Sequence, residues 1–172
     1  MTQAKMQQSA SASLEPPRVE NGKALLIAGL RQHYTSQTMS NIPAQWQRFA
    51  PHIGQIPGQI GQDAYGVCFE LSESGGGVDY LTGVEVLSSS ALPVGFVTVG
   101  IPAQKYAVFS HREHVSKLWN TLDSIAKEWR PEWGQPFRHS GSETPAFFER
   151  YTEEFNPQSG MSGIEVWVPI RP

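Results

Sequence analysis

The chain has 172 residues, enough for one domain with a sizeable core or for two very small ones. Its formal net charge of −3, from 13 Lys and Arg against 16 Asp and Glu, does not favour binding to a nucleic-acid backbone, which needs a basic stripe. The single cysteine, Cys68, excludes an intramolecular disulfide, and no apolar run reaches the length of a membrane span or a signal h-region, so the expected location is the cytoplasm.

Residues 1–22 are polar and low in complexity, with Gln7, Gln8, Ser9, Ser11 and Ser13 ahead of Pro16-Pro17. They offer little apolar surface to bury and read as a disordered leader, leaving 23–172 as a single domain. Leu25 to Tyr34 reads as a strand. A helix follows from Asn41, a good N-cap, with Pro43 in the first turn and Ile42, Trp46 and Phe49 on one stripe. Pro51, Gly54 and Pro57-Gly58 end it. Two strands come next, Ala64 to Leu71 and Val78 to Leu87, joined by a turn at Ser74 to Gly77.

The arrangement then repeats. Phe96 to Val99 leads into a strand at Lys105 to Ser110, and a helix over Glu113 to Trp129 carries Val115, Leu118, Trp119, Leu122 and Ile125 on one stripe. Strands at Phe147 to Phe155 and Gly163 to Ile170 close the chain. The order β-α-β-β thus occurs twice, and Gly83-Val-Glu-Val86 matches Gly163-Ile-Glu-Val166 about 80 residues later. Two such units predict an α+β fold: an antiparallel or mixed sheet with both helices on one face and a groove between them.

Glu165 is the sharpest chemical feature, because it interrupts the apolar run Ile164-Glu165-Val166-Trp167-Val168. A carboxylate on an interior strand is costly to bury without a partner. The ordinary explanation is an edge strand with its polar face in water. Strand alternation puts Trp167 on the same face, and the repeat supplies a counterpart in Glu85. A desolvated carboxylate among aromatics suits an organic cation, or serves as an acid or base of raised pKa. Trp46 and Trp119 occupy comparable places on the two helices and are candidate groove walls, with Tyr65, Tyr80 and Phe148 on the strands. At least half of these aromatics are expected to be plain core. His111 and His114 stand three apart at a helix start, a spacing that can chelate, but no further His or Cys supports a metal site. Cys68 sits in an apolar strand as a small hydrophobe, so no metal or cofactor is expected.

Gly29-Leu-Arg-Gln-His-Tyr34, Ile42-Pro-Ala-Gln-Trp46, Tyr65-Gly-Val67, Tyr80-Leu-Thr-Gly-Val-Glu85, and Phe148-Glu-Arg-Tyr151 through Gly163-Ile-Glu-Val-Trp-Val-Pro169 together resemble the gyrase-inhibitor-like (GyrI-like) effector-binding domains of AraC-type bacterial transcription activators. The resemblance covers roughly residues 24–171. It implies a duplicated β-α-β-β fold with a pocket between the helices. It also implies a glutamate of the final strand, here Glu165, at the pocket floor, where it pairs with cationic lipophilic compounds among Trp46, Tyr65, Tyr80 and Trp167. Phe148 and Trp119 follow as weaker candidates. Regulator members carry a fused DNA-binding helix-turn-helix, for which a 22-residue leader is too short, so direct nucleic-acid binding is not expected. Stand-alone members, including those on integron gene cassettes, resemble this architecture better. They bind or sequester drugs or act through a partner such as a transcription regulator or gyrase, and some relatives are small hydrolases of electrophilic compounds.

Overall fold

The computed structural model describes residues 14–70, 77–128 and 144–170. Its strands are β1 (Arg18–Gly22), β2 (Leu25–Tyr34), β3 (Ala64–Glu70), β4 (Val78–Glu85), β5 (Val97–Ile101), β6 (Gln104–His111), β7 (Phe147–Tyr151) and β8 (Ile164–Pro169), with helices α1 (Ile42–Phe49) and α2 (Leu118–Glu128). All eight strands form one antiparallel sheet in the order β1-β6-β8-β7-β3-β4-β2-β5.

Each helix is entered through a 3₁₀ turn, Met39–Asn41 before α1 and Val115–Lys117 before α2. Pro43 sits in the first turn of α1, where a missing N–H costs nothing, while the Asn41 side chain makes no capping bond. His114 caps the second turn instead, its Nδ1 accepting from the Ser116 N–H. The apolar stripes expected on both helices bury Phe49 on α1 and Leu118, Leu122 and Ile125 on α2.

Only Lys23-Ala24 separates β1 from β2, and only Pro102-Ala103 separates β5 from β6. These pairs of strands nevertheless lie near opposite ends of the strand order. The ladders explain how. Gly22 opposite Gln104 in β1–β6 and Leu25 opposite Ile101 in β2–β5 belong to one continuous register. The sheet therefore rolls up until its two ends meet at this seam. The inside of the roll is a core of Ile27, Tyr65, Val67, Phe69, Leu81, Val99, Ile101, Tyr106, Val108, Phe148 and Trp167, drawn from β2 through β8. The helices pack on the outside, over Tyr34, Ala64, Cys68, Val78, Tyr80, Phe109, Phe147, Tyr151, Val166 and Val168.

Three expectations change. The leader was drawn through residue 22, but Arg18–Gly22 is β1, paired along its length with β6; residues 1–13 lie outside the described residues. The turn at Ser74 to Gly77 also falls mostly outside them. Each repeat has an additional strand, β1 and β5, so the unit is β-β-α-β-β. Finally, Glu85 and Glu165 are not counterparts. Taking the equally long β1 and β5 as equivalent, the registers carry the correspondence across the sheet: Tyr65 matches Phe148, Gly66 matches Glu149, Glu85 matches Pro169, and Glu165 matches Leu81. The Gly-Hyd-Glu-Val likeness of the two segments was a coincidence of composition. The pseudo-two-fold axis passes through the Gly66–Glu149 pair of the central β3–β7 ladder.

Candidate functional site

Side chains alternate along a strand, so in β7 Phe148 and Arg150 point into the roll while Phe147, Glu149 and Tyr151 point toward the helices. Glu149 therefore sits at the pseudo-axis on the helix side, between α1 and α2, and is 5% exposed. Its counterpart across the axis is glycine for a steric reason. A Cβ on Gly66 would come 2.1 Å from the Tyr80 hydroxyl and 2.7 Å from Glu149 Oε1. Gly66 leaves the space that the carboxylate and the hydroxyl occupy.

Oε1 of Glu149 accepts a 2.6 Å hydrogen bond from the Tyr80 hydroxyl and a 2.9 Å bond from the Tyr151 hydroxyl. Trp46 Nε1 donates in turn to the Tyr80 hydroxyl at 3.1 Å, and the Trp46 ring lies edge-on to Tyr151 at 5.1 Å. Burial pushes the Glu149 carboxyl up to about 7 against the pull of the two tyrosine hydrogen bonds. Burial also raises both tyrosines well above the usual phenol value, with the Glu149 charge adding to it. They are thus hydroxyl donors at any ordinary pH.

Above this group opens a cavity of about 1010 Å³. Its floor is Ala64, Cys68, Val78, Tyr80, Phe147, Glu149 and Tyr151; its walls include Ile42, Trp46, Ala50 and Ile53 on one side and Val115, Leu118, Trp119 and Leu122 on the other. Glu70, Asp123 and Glu149 are its acidic lining residues, and no Lys or Arg lines it among the described residues. Gln45, fully buried behind Trp46, ties α1 to the sheet: its Nε2 donates to the Leu30 and Tyr80 carbonyls and its Oε1 accepts from the Tyr34 hydroxyl. No group of His, Cys, Asp and Glu among the described residues is arranged to hold a metal ion.

The structure brings Trp46, Tyr80 and Trp119 of the expected residues to this cavity. Trp119, 53% exposed, stands at its mouth. The other five lie elsewhere. Glu165, expected at the pocket floor, projects to the inner side of the sheet with Trp167, whose Nε1 donates to its Oε1 at 2.9 Å, and it pairs with Arg18 at 3.0 Å. The physical reason is parity: Val166 and Val168 are the β8 residues under the helices, so Glu165 and Trp167 must face away. Glu85 also faces inward and pairs with Lys23 at 3.0 Å. Tyr65 and Phe148 meet edge-on at 5.7 Å inside the roll, and Phe148 stacks on Trp167 at 5.5 Å. Burial pushes the Tyr65 phenol up to about 12, with Arg150 opposing. Sequence reasoning missed Glu149 as a site residue and counted Tyr151 only within the general aromatic set. The signal was present in Phe147-Phe-Glu-Arg-Tyr151, where a carboxylate is flanked at even spacing by Phe147 and Tyr151.

No helix among the described residues is long and apolar enough to cross a membrane. The chain is 29% identical over 157 residues to the transcriptional regulator BrlR of Pseudomonas aeruginosa, covering 89% of this chain and 54% of that protein, so it spans about half the length of this curated relative. Among solved structures it resembles SAV2435 bound to tetraphenylphosphonium (TM-score 0.65, 19% identity, 91% of this chain and 94% of that one). It likewise resembles the Vibrio cholerae integron cassette protein VCH_CASS2 (TM-score 0.59, 18% identity, 92% and 97%) and the EcmrR C-terminal domain (TM-score 0.62, 14% identity, 90% and 96%). At these identities the structures speak to the fold. Residues 15–171 match the family described as the GyrI-like small molecule binding domain, and the chain belongs to that family.

Proposed function

We propose that this domain binds hydrophobic organic cations in the cavity between α1 and α2, with Glu149 as the charge partner and Trp46, Tyr80, Tyr151 and Trp119 as the aromatic surround. The observation that carries the reading is a buried carboxylate facing a large apolar cavity with only neutral hydroxyls as partners, and without a described Lys or Arg in the lining. Such a charge gains most from a ligand that brings its own positive charge and is otherwise apolar. Aromatic faces turned toward the cation add cation–π attraction, worth up to about 2 kcal/mol when desolvated. The tetraphenylphosphonium held by the structurally similar SAV2435 has this chemistry. The expected output is sequestration of such compounds, or reporting of their presence to a regulatory partner. Tetraphenylphosphonium is expected to raise the melting temperature at pH 8, and triphenylphosphine oxide, neutral and of similar shape, to do so far less. Equal shifts from both compounds contradict the charge-partner role.

One observation favours a second reading, a small hydrolase of electrophilic compounds. A carboxyl that titrates near neutrality beside two hydroxyl donors has the pKa of a general acid or base. The expected sign is turnover of an electrophile panel that disappears in Glu149→Gln; turnover unaffected by that substitution rules this reading out.

A further inference from the structure

We propose that the cavity is a proton–cation exchange site: the ligand-free protein holds a proton on Glu149, and an arriving cation displaces it to the solvent. This rests on the cation-binding reading above and adds what controls it. The geometry provides the ground. Both hydrogen bonds that the described residues give the carboxyl go to Oε1, leaving Oε2 to carry either a proton or the contact with a cation. Burial favours the neutral form when the cavity is empty, against the pull of the two tyrosine hydrogen bonds, and no Lys or Arg among the described residues lines the cavity to offset it. Tyr80 on β4 and Tyr151 on its own strand are neutral donors, and Cys68 on β3 is a buried neutral thiol. Glu70 on β3 and Asp123 on α2 also line the cavity, Asp123 paired with Lys127 at 3.0 Å; α1 contributes no ionisable lining residue, and His114 lies ahead of α2. An isolated carboxylate in this setting lacks a counter-ion, so a proton supplies the neutralising charge until a ligand does.

The balance is one proton released for each monovalent cation bound, with no other bond made or broken. Linkage then fixes the sign. With the ligand-free carboxyl near 7, cation affinity is highest above that pH and falls as the solution is acidified, approaching tenfold per pH unit. A neutral ligand of similar shape shows the opposite or no dependence, since it leaves the proton in place. Acidification therefore changes which class of compound the cavity prefers.

The test is calorimetric titration of the purified protein with tetraphenylphosphonium, at about pH 6 and about pH 8.5, each in two buffers of different ionisation enthalpy. The expected result is release of close to one proton per cation at the lower pH and close to none at the higher, with affinity about tenfold or more weaker at the lower pH. Glu149→Gln is expected to release no proton at either pH and to lose the pH dependence of whatever affinity it keeps. Wild-type binding without proton release at the lower pH overturns the exchange while leaving cation binding in place. Absence of wild-type binding at both pH values overturns both.

Discussion

Glu149 is the residue on which stability and ligand binding pull in opposite directions. Its carboxyl is raised by burial from the ordinary 4.5 to about 7. A group held higher in the folded state contributes its full stability below the unfolded value. That contribution is lost as the pH rises from about 4.5 through about 7. At roughly 1.4 kcal/mol per unit, ionising Glu149 in the empty cavity costs about 3 kcal/mol. Glu149→Gln keeps an acceptor for the two tyrosine hydroxyls and removes the charge, so it is expected to be more stable than the wild type at pH 8.5 and no more stable at pH 5. Denaturant melts at the two pH values check this, and a variant that is less stable at pH 8.5 contradicts it. Gly66 is the complementary case. Gly66→Ala puts a methyl against the Tyr80 hydroxyl and Glu149, so the tyrosine must swing away. A cost of about 1–3 kcal/mol is expected, with loss of tetraphenylphosphonium binding in the refolded protein. Retention of full affinity would show that the Tyr80–Glu149 contact is dispensable.

Helices and strands were largely legible in the sequence, because apolar spacing marks them: the stripes of α1 and α2 reappear, and Tyr65, Val67 and Phe69 of β3 share one face, although β3 and β4 are buried on both faces. What spacing does not give is which face of a strand meets the helices. Glu165 and Trp167 do share a face, as alternation required, but that face lines the inside of a rolled sheet. Periodicity fixes relative parity only, and the closing seam that decides it comes from β1, hidden in a stretch that looks like leader. Gln45 was passed over for the opposite reason: a polar residue beside an apolar stripe looks solvent-facing, yet it is fully buried and satisfied by Leu30, Tyr80 and Tyr34. It anchors α1 and therefore Trp46 over the site. Gln45→Ala leaves two carbonyls and a buried phenol short of partners and opens a void, for an expected loss of about 2–4 kcal/mol by chemical denaturation. A loss under 0.5 kcal/mol would show that α1 is held by its apolar stripe alone.

For the whole molecule, one rolled sheet separates two chemically different spaces. The inside is a packed aromatic core rimmed by ion pairs such as Arg18–Glu165 and Lys23–Glu85; the outside, beneath the helices, is the open cavity around Glu149. Strand β1 is part of that closure. Deleting residues 1–22 removes a five-residue ladder to β6 and the Glu165 partner. Thermal melts should register this as a drop of roughly 5–10 °C, and an unchanged melting temperature would show that the roll holds without its seam. The two glutamates then make the sharpest comparison, because one sequence feature pointed to Glu165 and the folded geometry points to Glu149. The decisive measurement is the affinity for tetraphenylphosphonium at pH 8 of the wild type, Glu149→Gln and Glu165→Gln, by calorimetric titration. Glu149→Gln is expected to weaken binding by about 10- to 100-fold, the equivalent of roughly 1.4–2.7 kcal/mol, while Glu165→Gln stays within about twofold of the wild type. Binding that survives the loss of Glu149 and falls with the loss of Glu165 would contradict the account.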